Sequence, residues 1–147
     1  MDKLVPGNYF ARMRAGEAPL PRVTSMLGGT IRHVDVEAGV LESDYVGADN
    51  FRNPAGQIQG GMLCSMLDDV TAMLVTAIVA DGEFCSTLNL NVSFLRPGKP
   101  GLIRGRSSLT KRGRDVCYVA GELWQDDKLI ATANATCMIA RPAARGA

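Results

Sequence analysis

The run Gly60-Gly-Met-Leu-Cys-Ser-Met-Leu-Asp-Asp-Val-Thr-Ala-Met-Leu-Val-Thr-Ala-Ile-Val-Ala80 constrains the fold more than any other part of the chain. Leu63, Met66, Leu67, Val70, Leu74, Ala77 and Ile78 recur at spacings of three and four, which puts them on one stripe of a helix. From Gly60 to about Ala80 that helix would be roughly 30 Å long, and Asp81-Gly82 ends it. The part from Met62 to Ala80 is long enough to span a membrane, but Asp68-Asp69 within it and the lack of basic flanks argue against that reading. A helix this apolar needs a wrapping of protein.

The rest of the chain supplies strands for the wrapping. After the helix the hydrophobic period changes from 3.6 to 2. In Ser86-Thr-Leu-Asn-Leu-Asn-Val-Ser-Phe-Leu95, alternation puts Leu88, Leu90, Val92 and Phe94 on one side and Thr87, Asn89, Asn91 and Ser93 on the other. Arg96-Pro-Gly-Lys-Pro-Gly101 reads as a turn, followed by a strand at 102–110, a turn at 111–115, a strand at 116–125, a tight Asp126-Asp127 turn and a strand at 128–140. Short turns predict an antiparallel four-strand meander. Ahead of the helix, 29–47 reads as a hairpin broken at Ala38-Gly39, and 48–61 as a loop rich in Asn, Asp, Pro and Gly. Residues 8–15 predict a short helix closed by Gly16. This order predicts an α+β domain in which a curved antiparallel sheet wraps one long central helix, a description that fits the hotdog fold.

A length of 147 residues favours one domain over 1–147, with an N-terminal extension at 1–27 and a frayed tail at 141–147. The net charge of +1 gives no general pull toward nucleic acid or an anionic membrane. Cys64, Cys85, Cys117 and Cys137 are widely spaced in apolar runs, with no CxxC and no Cys/His cluster, so no metal site is expected. Free thiols in that setting suit a reducing cytosol. The first twenty residues lack the apolar core of a signal peptide, which also points to a cytoplasmic protein.

Two features of the helix could carry chemistry. With Leu63 at zero and about 100° per residue, the apolar stripe centres near 10°, Asp68 lies at about 140° and Asp69 at about 240°. The two carboxylates flank the stripe on opposite sides, and geometry alone favours neither. Ser65, Thr71 and Ala72 leave a small, weakly polar face that suits packing against a second subunit. Gly60-Gly61 at the helix start exposes free backbone N–H groups in the positive end of the helix dipole. An oxyanion hole and a carboxylate base are the parts that acyl transfer to water requires. Each feature also has a plainer reading: loop glycines, a solvated Asp pair, an Asn53-Pro54 turn, a solvated hairpin tip at Lys111, Arg112 and Arg114, and a satisfied strand histidine at His33.

Taken together the residues resemble the PaaI-like hotdog-fold acyl-CoA thioesterases. The pattern stands as Asn53-x-x-Gly56-x-x-Gln59-Gly60-Gly61, with Asp68 two turns on, then Thr87-Leu-Asn-Leu-Asn91-Val-Ser-Phe94-Leu-Arg-Pro97, then Gly113-Arg114 and Asp126-x-Lys-Leu-Ile-Ala131. The likeness covers about residues 28–140. It implies that Asp68 acts as general base or nucleophile on a thioester, that the Gly60 N–H polarises its carbonyl with Gly61 nearby, and that Asn53 and Gln59 orient water or carbonyl. It implies that Thr87 positions the water and that Asp69 is a helix-surface or interface residue. The site would be built across a dimer, which sometimes pairs into a tetramer, with Asp68 and Thr87 from one subunit and Asn53, Gln59 and Gly60 from the other. The substrate would be an acyl-CoA, with no separate cofactor. Lys111, Arg112 and Arg114 are the first choices for its phosphates, with Arg96 and Lys99 behind them. Gln59 stands where the family usually has His, and glutamine cannot titrate. Two other functions stay open: a non-catalytic acyl-CoA-binding module, which the glutamine favours, and a hotdog hydratase or dehydratase, which would need a histidine that only His33 could supply.

Overall fold

Residues 3–143 are described by the computed structural model. Helix α1 (Tyr9–Arg14) and helix α2 (Arg22–Met26) precede strands β1 (Thr30–Asp35) and β2 (Val40–Gly47). A 3-10 turn at Asp49–Phe51 leads to helix α3 (Gly60–Ile78), and strands β3 (Phe84–Phe94), β4 (Gly101–Arg112), β5 (Val116–Gln125) and β6 (Lys128–Ala140) follow. One six-stranded sheet carries them in the order β1-β2-β4-β5-β6-β3, each neighbouring pair antiparallel. The inner face of the sheet wraps α3, which touches every strand from β2 to β6. This is the hotdog architecture.

The stripe expected from spacing is the buried face of α3: Leu63, Met66, Leu67, Val70, Leu74, Ala77 and Ile78 are all in the core. Each of these side chains except the smaller Ala77 contributes roughly 1.5–3 kcal/mol by leaving water. Alternating strand residues complete the core: Leu41 and Tyr45 of β2, Ile103 of β4, Cys117, Val119 and Leu123 of β5, and Ala131, Ala133, Ala135, Cys137 and Ile139 of β6. Small residues on the inner face let the helix sit close. A methyl group on Gly121 would lie 2.9 Å from Thr71 Cγ2. The helix passes the length and hydropathy test for a membrane span, yet most of that window is buried inside the domain.

The four-strand meander is corrected to three. β4, β5 and β6 form a meander, but β3 pairs with β6 at the far edge of the sheet. The segment after β3 is therefore a crossover. Its Leu95 and Arg96 N–H groups bond to the Ile130 carbonyl, and the Gly98 carbonyl accepts from Ile58 N–H. Gln125 clamps both the N–H and the C=O of Lys99. Pro97 and Pro100 disfavour a hairpin ladder there, because neither can donate.

The N-terminal residues do more than extend the domain. Phe10, Met13 and Leu27 are core residues, and α2 was not foreseen. Asn8 caps two helices at once. Its Oδ1 accepts from Ala11 N–H at the start of α1, and its Nδ2 donates to the carbonyls of Ala77 and Val79 at the end of α3. At the other terminus Arg141, expected in a frayed tail, bonds to Glu83, Asp115 and the Arg114 carbonyl. Residues 144–147 of that expectation lie outside the described residues.

Candidate active site

The two carboxylates of α3 separate into different environments. Asp68 is partly buried and its Oδ1 accepts a 2.9 Å hydrogen bond from Thr87 Oγ1. Its Oδ2 accepts no bond among the described residues. Asp69 is buried, against the expectation of a surface or interface residue. Its Oδ1 accepts from Thr24 of α2 at 2.7 Å and its Oδ2 from Tyr45 of β2 at 2.8 Å. Burial pushes the Asp69 carboxyl up, partly offset by those two donors, with the Asp68 charge a smaller upward cause. The Tyr45 phenol is pushed far up by burial and then by Asp69, so it stays a donor. The donor that α2 supplies to this side of α3 is Thr24, which no sequence pattern singled out.

A bulge aims Thr87. The β3–β6 register runs Thr87↔Cys137 and then Asn89↔Thr136, so Leu88 has no partner. Simple alternation put Thr87 on the side opposite Leu90 and Val92. The extra residue reverses the phase, so Thr87 faces Asp68 on the same inner side as Leu90, which pairs with inward Ala135. Behind Thr87, Cys85 lies diagonal to Cys137. A hydrogen bond with Cys137, then burial, pushes the Cys85 thiol up. Burial also pushes up Cys64, one turn before Asp68. Neither is poised as a thiolate nucleophile.

The open face of α3 carries Gly61, Cys64, Ser65, Asp68, Ala72 and Thr76, none of them buried. Ser65 Oγ donates to the Gly61 carbonyl and Thr76 Oγ1 to the Ala72 carbonyl. Both hydroxyls are thus turned back onto the helix, and Asp68 is the one charge on a smooth strip.

The helix start lies about 12 Å away along the axis. Gln59 is the N-cap residue with no side-chain cap, and its side chain is exposed. Among the described residues the N–H groups of Gly60 and Gly61 have no acceptor, whereas those of Met62 and Leu63 bond to the Gln59 carbonyl. Asn53 holds its own loop: its Oδ1 accepts from the N–H groups of Ala55 and Gln57, which leaves only its amide NH₂ for other partners. Of the basic residues, Arg112 donates to the Ile78 carbonyl at the end of α3, a structural contact the sequence did not suggest. Lys111 and Arg114 have exposed side chains. Arg96 donates to the Leu129 carbonyl.

One chain therefore brings Asp68 and Thr87 together and leaves them apart from Asn53, Gln59, Gly60 and Gly61. His33 sits in β1, at the sheet edge opposite β3, and lines a groove of about 820 Å³ with Arg32, Arg104, Arg106 and Trp124. That groove lies on the outer side of the sheet, away from Asp68. Its arginines pair loosely with Glu42 and Asp44. No cluster of three His, Cys, Asp or Glu gathers to hold a metal among the described residues.

A hotdog sheet around a helix that opens on unpartnered glycine N–H groups defines a class, and sequence comparison agrees: residues 55–132 match the thioesterase superfamily, to which the chain belongs. It is thereby a thioester hydrolase. Within the superfamily it falls in the PaaI-like group. A phenylacetic acid degradation-related protein of Ralstonia eutropha JMP134 is 69% identical over 89% of this chain and 99% of its own, with a TM-score of 0.88. The PaaI protein of the Escherichia coli phenylacetic acid degradation operon shares the fold at 18% identity, covering 89% of this chain and 93% of its own, TM-score 0.78. A thioesterase of Haemophilus influenzae does so at 19% identity, covering 80% and 82%, TM-score 0.74.

Proposed function

We propose that the protein hydrolyses an acyl-CoA to a carboxylic acid and CoA, at sites built between two antiparallel copies of α3. The observation that carries this reading is the Asp68–Thr87 pair with Asp68 Oδ2 left free on a smooth, open helix face. Asp68 has no oxyanion donors beside it, and the glycine N–H groups have no base beside them. A facing copy supplies each with the other. In that arrangement Asp68 of one subunit takes a proton from water attacking the thioester carbonyl, or attacks the carbonyl itself. The Gly60 N–H of the other subunit, with Gly61 nearby, holds the oxygen as it gains charge. Thr87 fixes the rotamer of Asp68 and orients the water. Gln59 and the free amide of Asn53 stand by the carbonyl, and neither titrates. Lys111 and Arg114, exposed and with no side-chain bond among the described residues, are the basic groups assigned to the CoA phosphates in this reading. Water is the only co-reactant, so no cofactor is needed, and a reducing cytosol would keep the four free cysteines as thiols.

The test is release of free thiol from short, medium, long and aryl acyl-CoAs, with Asp68→Asn beside wild type. Asparagine keeps the bond from Thr87 but cannot accept a proton. We expect the mutant to lose about three orders of magnitude in kcat with an unchanged melting temperature. Thiol release that survives in the mutant would move the chemistry away from Asp68. Acyl-CoA binding with no release by wild type would make the protein a binding module and Gln59 the reason.

A further inference from the structure

Gly60 has a neighbour that its sequence context does not disclose. Past the bulge, the inward residues of β3 are Leu90, Val92 and Phe94, and the last of them ends against the first turn of α3. A methyl group on Gly60 would lie 3.2 Å from Phe94 Cζ and 3.6 Å from both Cε atoms. The tip of the ring thus lies beside the residue that carries the Gly60 N–H, close enough that a methyl group there would have to push it by a few tenths of an ångström. The ring is still 52% exposed. At Gly61 a methyl group would meet nothing within 4 Å. The Cα side of Gly60 is thus covered by an aromatic ring, whereas that of Gly61 is open.

We infer that Phe94 is a positioning residue for the hydrolysis proposed above, on which this inference rests: its ring is the dry wall of the carbonyl site. A free helix start otherwise bonds to water, which a thioester carbonyl would have to displace. A donor shielded from water interacts more strongly with an oxygen that is gaining charge. The ring acts through Gly60, covering one flank of it and so limiting the water that reaches its N–H. That help grows as charge develops, so it belongs to the transition state more than to the bound substrate. Its loss should fall on kcat rather than on KM.

The experiment compares wild type, Phe94→Ala, Phe94→Leu and Asp68→Asn on one acyl-CoA, with amide hydrogen exchange at Gly60 as a readout independent of turnover. Phe94→Ala is expected to lower kcat about 10- to 100-fold while KM stays within about threefold. Phe94→Leu, which restores an apolar wall, should recover most of the rate. Exchange at Gly60 should quicken about tenfold in Phe94→Ala, since the ring no longer screens it. A kcat in Phe94→Ala equal to wild type, unchanged Gly60 exchange, or losses in both Phe94 variants that merely follow their melting temperatures would each overturn the inference. If Asp68→Asn is dead while Phe94→Ala is fully active, this inference alone fails. If wild type releases no thiol, the hydrolase reading fails and takes the inference with it.

Discussion

At the residue scale, two adjacent aspartates on one helix sit in opposite environments, and the consequences of each are measurable. Asp69 accepts from two buried hydroxyls. Asp69→Ala would strand Tyr45 Oη and Thr24 Oγ1 without a partner, so we expect a loss of about 2–4 kcal/mol in urea unfolding. Its ionisation also couples to pH. Burial holds the folded-state pKa above the ordinary 3.8, so between that value and the raised one the folded chain binds more protons than the unfolded chain. Stability from this group is therefore greatest at the acid end of the window and falls as pH rises through it. Asp69→Asn, which can still bond both hydroxyls, should flatten that decline, and urea midpoints from pH 4 upward would show it. An equally steep decline in the mutant would assign the effect to another group. The two glycines separate in the same way. A methyl group on Gly61 meets open space, and alanine is the better helix former. Gly61→Ala should leave stability unchanged or raise it by up to about 1 kcal/mol. It should still lower activity if a substrate closes on that side. The spacing of apolar residues placed both aspartates correctly on the helix wheel. It could not tell them apart, because the difference lies in Thr24 and Tyr45, residues distant in sequence that only the fold brings together.

At the element scale, the sequence disclosed the strands and the helix but not how β3 is placed. Period-2 alternation is a local signal, and it made β3 and β4 look like neighbours in a hairpin. Pairing is decided by which edge remains after α3 has crossed the sheet. The bulge at Leu88 was equally hidden, since one unpaired residue leaves the alternation of types intact while reversing their faces. The end of α3 shows the same limit. Its last carbonyls are held by Asn8, 69 and 71 residues upstream of Ala77 and Val79, and by Arg112 from β4. Asn8→Ala removes both caps, and we expect a cost of about 2–3 kcal/mol in thermal or urea unfolding. Arg112 needs care as a CoA ligand for this reason. Lys111→Ala and Arg114→Ala should raise KM a fewfold in a salt-dependent way without lowering the melting temperature. Arg112→Ala should lower the melting temperature as well, because it strips a donor from the Ile78 carbonyl. A melting temperature unaffected by Arg112→Ala would show that this contact contributes no stability.

At the scale of the whole molecule, the open edge of the sheet argues for a second copy. Sheets normally guard an edge strand with charges, proline or a covering loop. The β1 edge is guarded by Arg32, His33 and Asp35. The β3 edge is eleven residues long and contains no charged residue and no proline. Phe84 and Leu88 are each more than half exposed on it. Its bulge is placed to aim Thr87 and leaves the rest of the strand available for pairing. A two-fold axis beside β3 would extend the sheet through two such edges and bring the open faces of two α3 helices together, the arrangement that the proposed shared site calls for. Wild type should therefore sediment as a dimer or a pair of dimers. Phe84→Lys/Leu88→Lys, which puts like charges on both sides of that axis, should drive it to monomer. Thiol release should fall at least about 100-fold with it, although Asp68 and Thr87 remain bonded within each chain. The two measurements must move together. A monomeric variant with full activity would place the oxyanion donors within a single chain and sink the shared site. A charged variant that stays dimeric would mean that the copies meet elsewhere, with the open face of α3 the next place to put a charge.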